Sequence, residues 1–421
     1  MRKSGNDQAG NLAPVSISDL TDECLTKLLR QHWEVEHSKF DGVSSLEIRV
    51  IDQGVLSQVY RVSAVYKYNN ENSSMHVDNL IPTQWIVKLP RKDLQLEWMF
   101  QSEKVFYETF APFLRRMQEG LPFTVPRMLL ATDTCLILEG IQDMTCYDLI
   151  TGTPPEKLAL VTSCLASLHA HSWKSEFFLS HTQDLKRPPG IGQRLHPLQK
   201  EYLFQQQWRE AVIKTHLEDP HSQQFITFLC TQMERRRLRD IHAVVHDDKF
   251  ACVHGDFHVA NFLFPPDESQ KKPVLLDWAT FGYGNPMTDL AFFAVLNDCV
   301  ATRVQDWLKT YYDCLMTNLN HHDTIATLSF PSLLEKFRWA MLCQWMVLVA
   351  YDKMSRQLAE GQQDAAEVEI KLKHFRNVNR RAAIVLSGLG NFEPILDSLP
   401  ELTEHERHEA RLYCETTPLS I

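Results

Sequence analysis

VHGDFHVANFLF, Val253–Phe264, followed after a polar turn by VLLDW, Val274–Trp278, is the stretch from which the rest of the chain reads outward. Asp256 and Asn261 are separated by four residues, and Asp277 stands just past the next apolar run. Phosphoryl transfer needs such a set: one carboxylate orients or deprotonates the attacking hydroxyl, while an Asn and a second Asp hold Mg²⁺ against the phosphates. The competing reading is that Asp256 and Asn261 merely cap turns, as Asp and Asn commonly do. Asp277 resists it, because it follows Val274, Leu275 and Leu276, where an unpaired carboxylate is costly. His254 and His258 at i and i+4 could suggest a metal pair. No HExxH and no Cys partner accompanies them, and the spacing falls in an expected loop. His254 reads better as structural support for that loop.

The Asp-to-Asn spacing is that of the pattern H-R-D-L-x-x-x-N, with Gly255 in place of the Arg and Asp277-Trp278-Ala279 in place of D-F-G. A site of that kind needs a lysine and a cover for the phosphates. In WIVKL, Trp85–Leu89, the alternation puts Lys88 on the opposite face of a strand from Val87. A helix is expected to open at Asp93 and end before Pro112. Met99, Phe100, Phe106, Tyr107 and Phe110 define its apolar face, with Glu103 in the middle, where an unpaired charge would destabilise. Lys88 is the obvious partner, and such a pair positions the lysine on the α/β phosphates. Gly54 and Ser57 lie in the turn between two expected strands. Neither G-x-G-x-x-G nor G-x-x-x-x-G-K-[ST] occurs, so that turn reads equally as a phosphate cover or an ordinary hairpin.

Further out, Ser18 can cap a helix with Leu20, Cys24, Leu25, Leu28 and Leu29 on its apolar face. Strands are expected at Leu46–Ile51, Val59–Tyr66, Trp85–Leu89 and Thr134–Gly140, with a hairpin loop at Asn69–Asn79. Pro154 and Pro155 introduce a helix to about His171, residues 174–196 read as a long loop, and helices are expected at about 200–243 and from Pro286 to about 388. The segments are therefore an N-terminal tail and helix (1–45), a β-rich N-lobe that binds nucleotide (46–141), a mainly helical, catalytic and substrate-binding C-lobe (142–400) and a C-terminal tail (401–421). The expected class is α+β, a two-lobed protein kinase-like fold.

Composition narrows the function classes. Of 421 residues, 44% are hydrophobic, with 22 Phe, 9 Trp and 11 Tyr, which supplies a core and excludes general disorder. With 43 Lys+Arg against 53 Asp+Glu the net charge is −10, which disfavours a nucleic-acid binder with a broad basic surface. The dense run at Arg235, Arg236, Arg237 and Arg239 reads as a solvated helix face. The most apolar stretch, Trp339–Tyr351, spans 13 residues and contains Gln344, so it fits a buried helix and no membrane span is expected. The first residues lack the apolar run of a signal peptide, and the ten Cys include no CxxC pair. A cytoplasmic protein is the expectation.

Taken together these segments resemble the ecdysteroid kinase-like, or CHK kinase-like, branch of the aminoglycoside phosphotransferase and choline kinase superfamily. The likeness runs from roughly Leu46 to His374 and is carried by VHGDFHVANFLF, LLDWATFGYGNPMTDLAFF, SEKVFYETFAP and LILEGI. It implies that Asp256 is the catalytic base, that Asn261 and Asp277 bind Mg²⁺, and that Lys88 and Glu103 position the phosphates of ATP. It also implies that the Glu139–Ile141 backbone accepts adenine and that Asp289 braces the catalytic loop. The family commonly has Phe where Trp278 stands, and more glycine than QGVLSQ in the first-lobe turn. The implied partner is a small-molecule alcohol, whether steroid-like, choline-like or aminoglycoside-like. A catalytically inactive kinase-like nucleotide-binding or scaffold protein is the rival. A protein kinase fits less well, since HGD replaces HRD and no A-P-E segment follows Asp277.

Overall fold

The computed structural model describes residues 14, 16–33, 40–53, 57–68, 81–90, 97–117, 120–149, 152–182, 251–267, 269–321 and 328–341, with scattered positions from 344 to 385. The chain divides into two compact units, Met1–Cys146 with Phe262–Thr280, and Tyr147–Asn261 with Phe281–Ile421.

The first unit is built on an antiparallel sheet of five strands in the order β1-β2-β3-β5-β4. These are β1 (Phe40–Gln53), β2 (Ser57–Tyr68), β3 (Gln84–Pro90), β4 (Met128–Ala131) and β5 (Leu136–Glu139). Along β3 burial alternates as the pleat requires: Trp85, Val87 and Leu89 enter the core, and Lys88 faces the other way. Helix α1 (Asp22–His32) adds Leu25, Leu28 and Leu29, spaced by three and four, to the same core as Phe40, Val62, Trp85 and Ile137. Its cap is Thr21, whose hydroxyl accepts from the Cys24 amide at 3.2 Å, and not the expected Ser18. Ser18 lies in the preceding 3₁₀ turn, Ile17–Asp19, and the acidic pair Asp22–Glu23 follows Thr21 directly.

Strand β1 starts at Phe40, six residues before the expected Leu46. Register shifts at Phe40/Gly42 and Val43/Ser45 break the alternation there, so the pattern is lost although Phe40 is fully buried. Strand β4, unforeseen, is four residues long and follows a proline-containing connection. The helix after β3 also departs from expectation. It runs as α2 (Glu97–Val105), a π turn (Phe106–Phe110) and α3 (Ala111–Arg116), passing through Pro112 instead of ending before it. The wider turn places Pro112 in the first turn of α3, where a missing N–H costs little.

Two short strands, β7 (Phe262–Leu263) and β8 (Val274–Leu275), pair as an antiparallel hairpin. Backbone bonds tie it into the first unit: the Thr124 amide donates to Pro273 O and the Leu275 amide to Thr124 O, both at 2.9 Å. Thr145 and Phe264 exchange two further bonds of 2.8 Å. The single division after residue 141 read from the sequence therefore does not follow the contacts, which hold 262–280 with the sheet.

The second unit contains α4 (Pro155–His171), α5 (Glu176–Thr182), β6 (Ala251–Val253), β9 (Gly282–Gly284), α6 (Met287–Val295), α7 (Asp298–Ala301) and α8 (Val304–His321). Strands β6 and β9 pair antiparallel. The end of α4 is fastened to β6 by Ser172, whose hydroxyl accepts from the Cys252 amide and donates to Leu168 O, each at 2.7 Å. Trp307 of α8 donates its indole N–H to Thr162 of α4 at 2.9 Å. Helix α5 occupies part of the expected loop 174–196, and residues 183–196 lie outside the described residues, as do the expected helices at 200–243 and the arginine run. Trp339, Ala340 and Met341 are helical and buried, and among the described residues no helix is long and apolar enough to cross a membrane.

Candidate active site

The first unit gathers two charged side chains around Lys88. Its Nζ is 2.7 Å from Glu103 Oε1 and 3.5 Å from Asp277 Oδ1. Glu103 is buried in the apolar face of α2, where the lysine is its charge partner. Burial alone would lower the pKa of Lys88, but the charges of Asp277 and Glu103 outweigh it, so the lysine is held firmly as an ammonium. Burial in turn pushes Glu103 up from the usual carboxylate range, against the pull of Lys88. Two carboxylates facing one ammonium leave the cluster a net negative charge when both are ionised, an arrangement suited to a further cation.

Asp277 has a φ of 57°, a left-handed conformation that Asp tolerates better than most residues and that clusters at functional sites. The next residue, Trp278, locks it. Its ring is fully buried and stacks on Phe106 at 3.9 Å between centroids and 7° between planes, and its indole N–H donates to Leu275 O at 3.2 Å. The Trp278 amide donates to Glu103. One dipeptide thus contacts both members of the Lys88–Glu103 pair.

At the end of β5, the Glu139 carboxylate accepts from the Arg127 amide at 2.9 Å and from its Nε at 2.8 Å, while Arg127 lies over the Trp33 ring at 4.1 Å. The Glu139 amide donates to Arg127 O and the Gly140 amide to Gln84 O. Gly140 is required here, because a Cβ would come within 2.8 Å of the Gln84 backbone. The backbone expected to meet adenine therefore has its first two amides engaged, and among the described residues the Ile141 amide has no backbone partner. Ser57 is the buried first residue of β2, and Gly54 lies outside the described residues.

The second unit contains the loop from His254 to Asn261. Gly255, with φ of 83°, makes the turn that a side chain would strain. Asp289, on α6 and fully buried, accepts the His254 amide at 2.8 Å on Oδ2 and the Gly255 amide at 2.7 Å on Oδ1. Asn261 donates from Nδ2 to Asp256 O at 2.8 Å, which turns its Oδ1 away from that bond. His258 Nε2 is 3.4 Å from Asp256 Oδ1. Burial would raise the Asp256 pKa, but His258 and His254 and the hydrogen bond from Asn261 prevail, and the carboxyl sits below its usual range. The carboxylate is thereby kept unprotonated.

Asn261 and Asp277 offer oxygen donors only, the chemistry that Mg²⁺ prefers. Among the described residues no group of three or more His, Cys, Asp or Glu is arranged to hold a metal, so His254 and His258 gain no further protein ligand there.

Several residues of both clusters escaped the sequence reading. His169 of α4 and Tyr311 of α8 are fully buried and bonded to each other, with Nδ1 2.7 Å from the phenol oxygen. His169 Nε2 is 3.3 Å from Asp289 Oδ2. A signal existed for His169, which follows the buried residues Leu165 and Leu168 on α4 just as Glu103 interrupts α2. Tyr311 has none, since a tyrosine is an ordinary core residue. The stacking role of Phe106 depends on the π turn that it opens, and no sequence periodicity announces such a turn.

A sheet unit with a lysine–glutamate–aspartate cluster and a largely helical unit with a braced Asp–Asn loop define the protein kinase-like α+β class. Within it the chain belongs to the ecdysteroid kinase-like family, whose sequence profile matches residues 53–324. Among solved structures it is similar to a putative aminoglycoside phosphotransferase from Ralstonia eutropha JMP134, at 13% identity and TM-score 0.47, covering 87% of this chain and 98% of that one. It is also similar to a microcompartment-associated aminopropanol kinase, at 13% identity and TM-score 0.48, covering 86% and 96%. A third is an ethanolamine kinase from Plasmodium vivax, at 11% identity and TM-score 0.43, covering 79% and 82%. No curated protein matches in sequence.

Proposed function

We propose that this chain is an ATP- and Mg²⁺-dependent kinase that phosphorylates a hydroxyl group of a small molecule. The observation that carries the reading is the Lys88–Glu103–Asp277 cluster, in which a buried glutamate holds an ammonium beside a strained aspartate. Lys88 binds phosphate oxygens of the nucleotide, and Glu103 keeps it from swinging away. The Ile141 amide, which has no backbone partner among the described residues, would meet the adenine edge. Asn261, through Oδ1, and Asp277 would hold Mg²⁺, which neutralises charge on the phosphates when bound.

Asp256 accepts a hydrogen bond from the acceptor hydroxyl and takes its proton as the new O–P bond forms. The bond from the γ-phosphorus to the bridging oxygen breaks, and ADP leaves with that electron pair. No covalent enzyme intermediate is needed. His254 and Asp289 serve the loop and do not touch the substrate. The acceptor is a small alcohol of steroid-like, choline-like or aminoglycoside-like kind. The net charge of −10 steers cationic acceptors, and membership of the ecdysteroid kinase-like family favours a steroid-like one.

The test is ATP consumption with Mg²⁺ across a panel of the three alcohol classes, with Asp256→Asn beside the native chain. Turnover on one class, lowered at least ~100-fold in the variant with Mg·ATP binding retained, is the expected result. Mg·ATP binding with no turnover on any class would favour a non-catalytic nucleotide-binding protein. Absence of Mg·ATP binding would overturn both.

A further inference from the structure

We propose that Tyr311 is a positioning residue for the catalytic loop: its phenol sets the tautomer of His169 that allows Asp289 to hold the His254–Gly255 backbone. Three helices of the second unit meet in this chain of bonds, α8 through Tyr311, α4 through His169 and α6 through Asp289. All three side chains are fully buried, so each proton must be accounted for within the protein.

One arrangement of protons satisfies all three groups. Burial, and secondarily the charge of Asp289, raises the Tyr311 pKa well above its ordinary value, so the phenol keeps its proton and needs an acceptor. Among the described residues its hydrogen-bond partner is His169 Nδ1 at 2.7 Å. Nδ1 must then carry the lone pair, and in a neutral imidazole the proton sits on Nε2. Nε2 faces Asp289 Oδ2 at 3.3 Å, an oxygen that already accepts the His254 amide at 2.8 Å. The other oxygen accepts the Gly255 amide at 2.7 Å. The carboxylate is thus fixed from one side by an imidazole N–H and spends its remaining capacity on the two residues that precede Asp256. With the opposite tautomer a lone pair would face the carboxylate, which would be pushed away from the loop.

Without the phenol, Asp289 alone favours the Nε2–H form of His169, and the Nδ1–H form gains in population. Tyr311→Phe keeps the ring and its edge-on packing against His169, where the centroids lie 5.8 Å apart. Loss of a hydrogen bond of this kind corresponds to about five- to tenfold in an equilibrium. That is the size expected for faster hydrogen exchange at the His254 and Gly255 amides. Only the predicted effect on turnover rests on the kinase reading; the tautomer and the exchange rates do not.

The experiment uses the full chain labelled with ¹⁵N-histidine, the His169 signals being assigned by their loss in His169→Gln. The expected native spectrum has protonated Nε2 and unprotonated Nδ1, and Tyr311→Phe should populate the Nδ1–H form and accelerate exchange in 253–256. If the chain turns over, kcat should fall by a similar factor, while KM for ATP stays within about twofold. An imidazolium or an Nδ1–H imidazole in the native chain would overturn the proposal, as would unchanged exchange in Tyr311→Phe. Should that variant fail to fold, His169→Gln, whose amide can still donate to Asp289, is compared with His169→Leu. Equal loop exchange in these two would overturn it as well. A chain without turnover but with the expected spectra would remove the kinase reading and leave the bond network standing.

Discussion

Asp277 carries two burdens that pull on its backbone and side chain separately. Its carboxylate faces Lys88, and its φ of 57° is one that side chains with a Cβ adopt at a cost. Substitution can separate them. Asp277→Gly and Asp277→Ala both remove the carboxylate, so the difference between them reports the backbone alone. The glycine variant should be the more stable by about 1 kcal/mol in denaturant unfolding, because glycine occupies left-handed φ freely. Both should lose phosphoryl transfer. An alanine variant as stable as the glycine variant would show that the backbone at 277 is not strained, and that its conformation comes only from the Trp278 stack.

At the scale of elements, the helix after β3 and the turn after β8 are held to each other by an aromatic pair and not by charge alone. Phe106 opens the π turn, and Trp278 lies flat against it. The same tryptophan amide bonds Glu103, three residues before Phe106 on the helix. The stack and this bond thus hold Trp278 against the same helix that carries Glu103. Trp278→Phe keeps a flat ring in the slot and should hold Kd for Mg·ATP within a few-fold. Trp278→Ala empties a fully buried site and should cost about 3–5 kcal/mol of stability. Its Mg·ATP affinity should fall as well, measured by calorimetry below the unfolding transition. If the alanine variant bound Mg·ATP like the native chain, Lys88 and Glu103 would be positioned without the stack.

Over the whole molecule, what could be read from sequence divides along physical lines. The pairing of Lys88 with Glu103 was legible because a charge in the middle of an apolar helix face demands a partner, and the two are bonded as that reason requires. Strand β3 was legible because its alternation is unbroken, and β1 was cut short because bulges interrupt its own. The assignment of 262–280 was not legible, since it depends on backbone bonds to Thr124 and Thr145 that have no signature in side-chain pattern. Those bonds make a prediction about cooperativity. Val87 is fully buried in the sheet core, and Val87→Ala should destabilise the first unit by about 1–3 kcal/mol. A segment that opens with the sheet inherits its loss of stability, whereas a segment in another unit does not. Hydrogen exchange followed by mass spectrometry should then speed up in 262–267 and 272–277 together with 85–89. Exchange in 251–253 and 282–284, the β6–β9 pair that flanks the hairpin in sequence, should stay as in the native chain. Uniform acceleration of all of these segments would mean that the chain unfolds as one cooperative body. Acceleration confined to 85–89 would mean that the bonds at Thr124 and Thr145 do not bind the hairpin to the sheet.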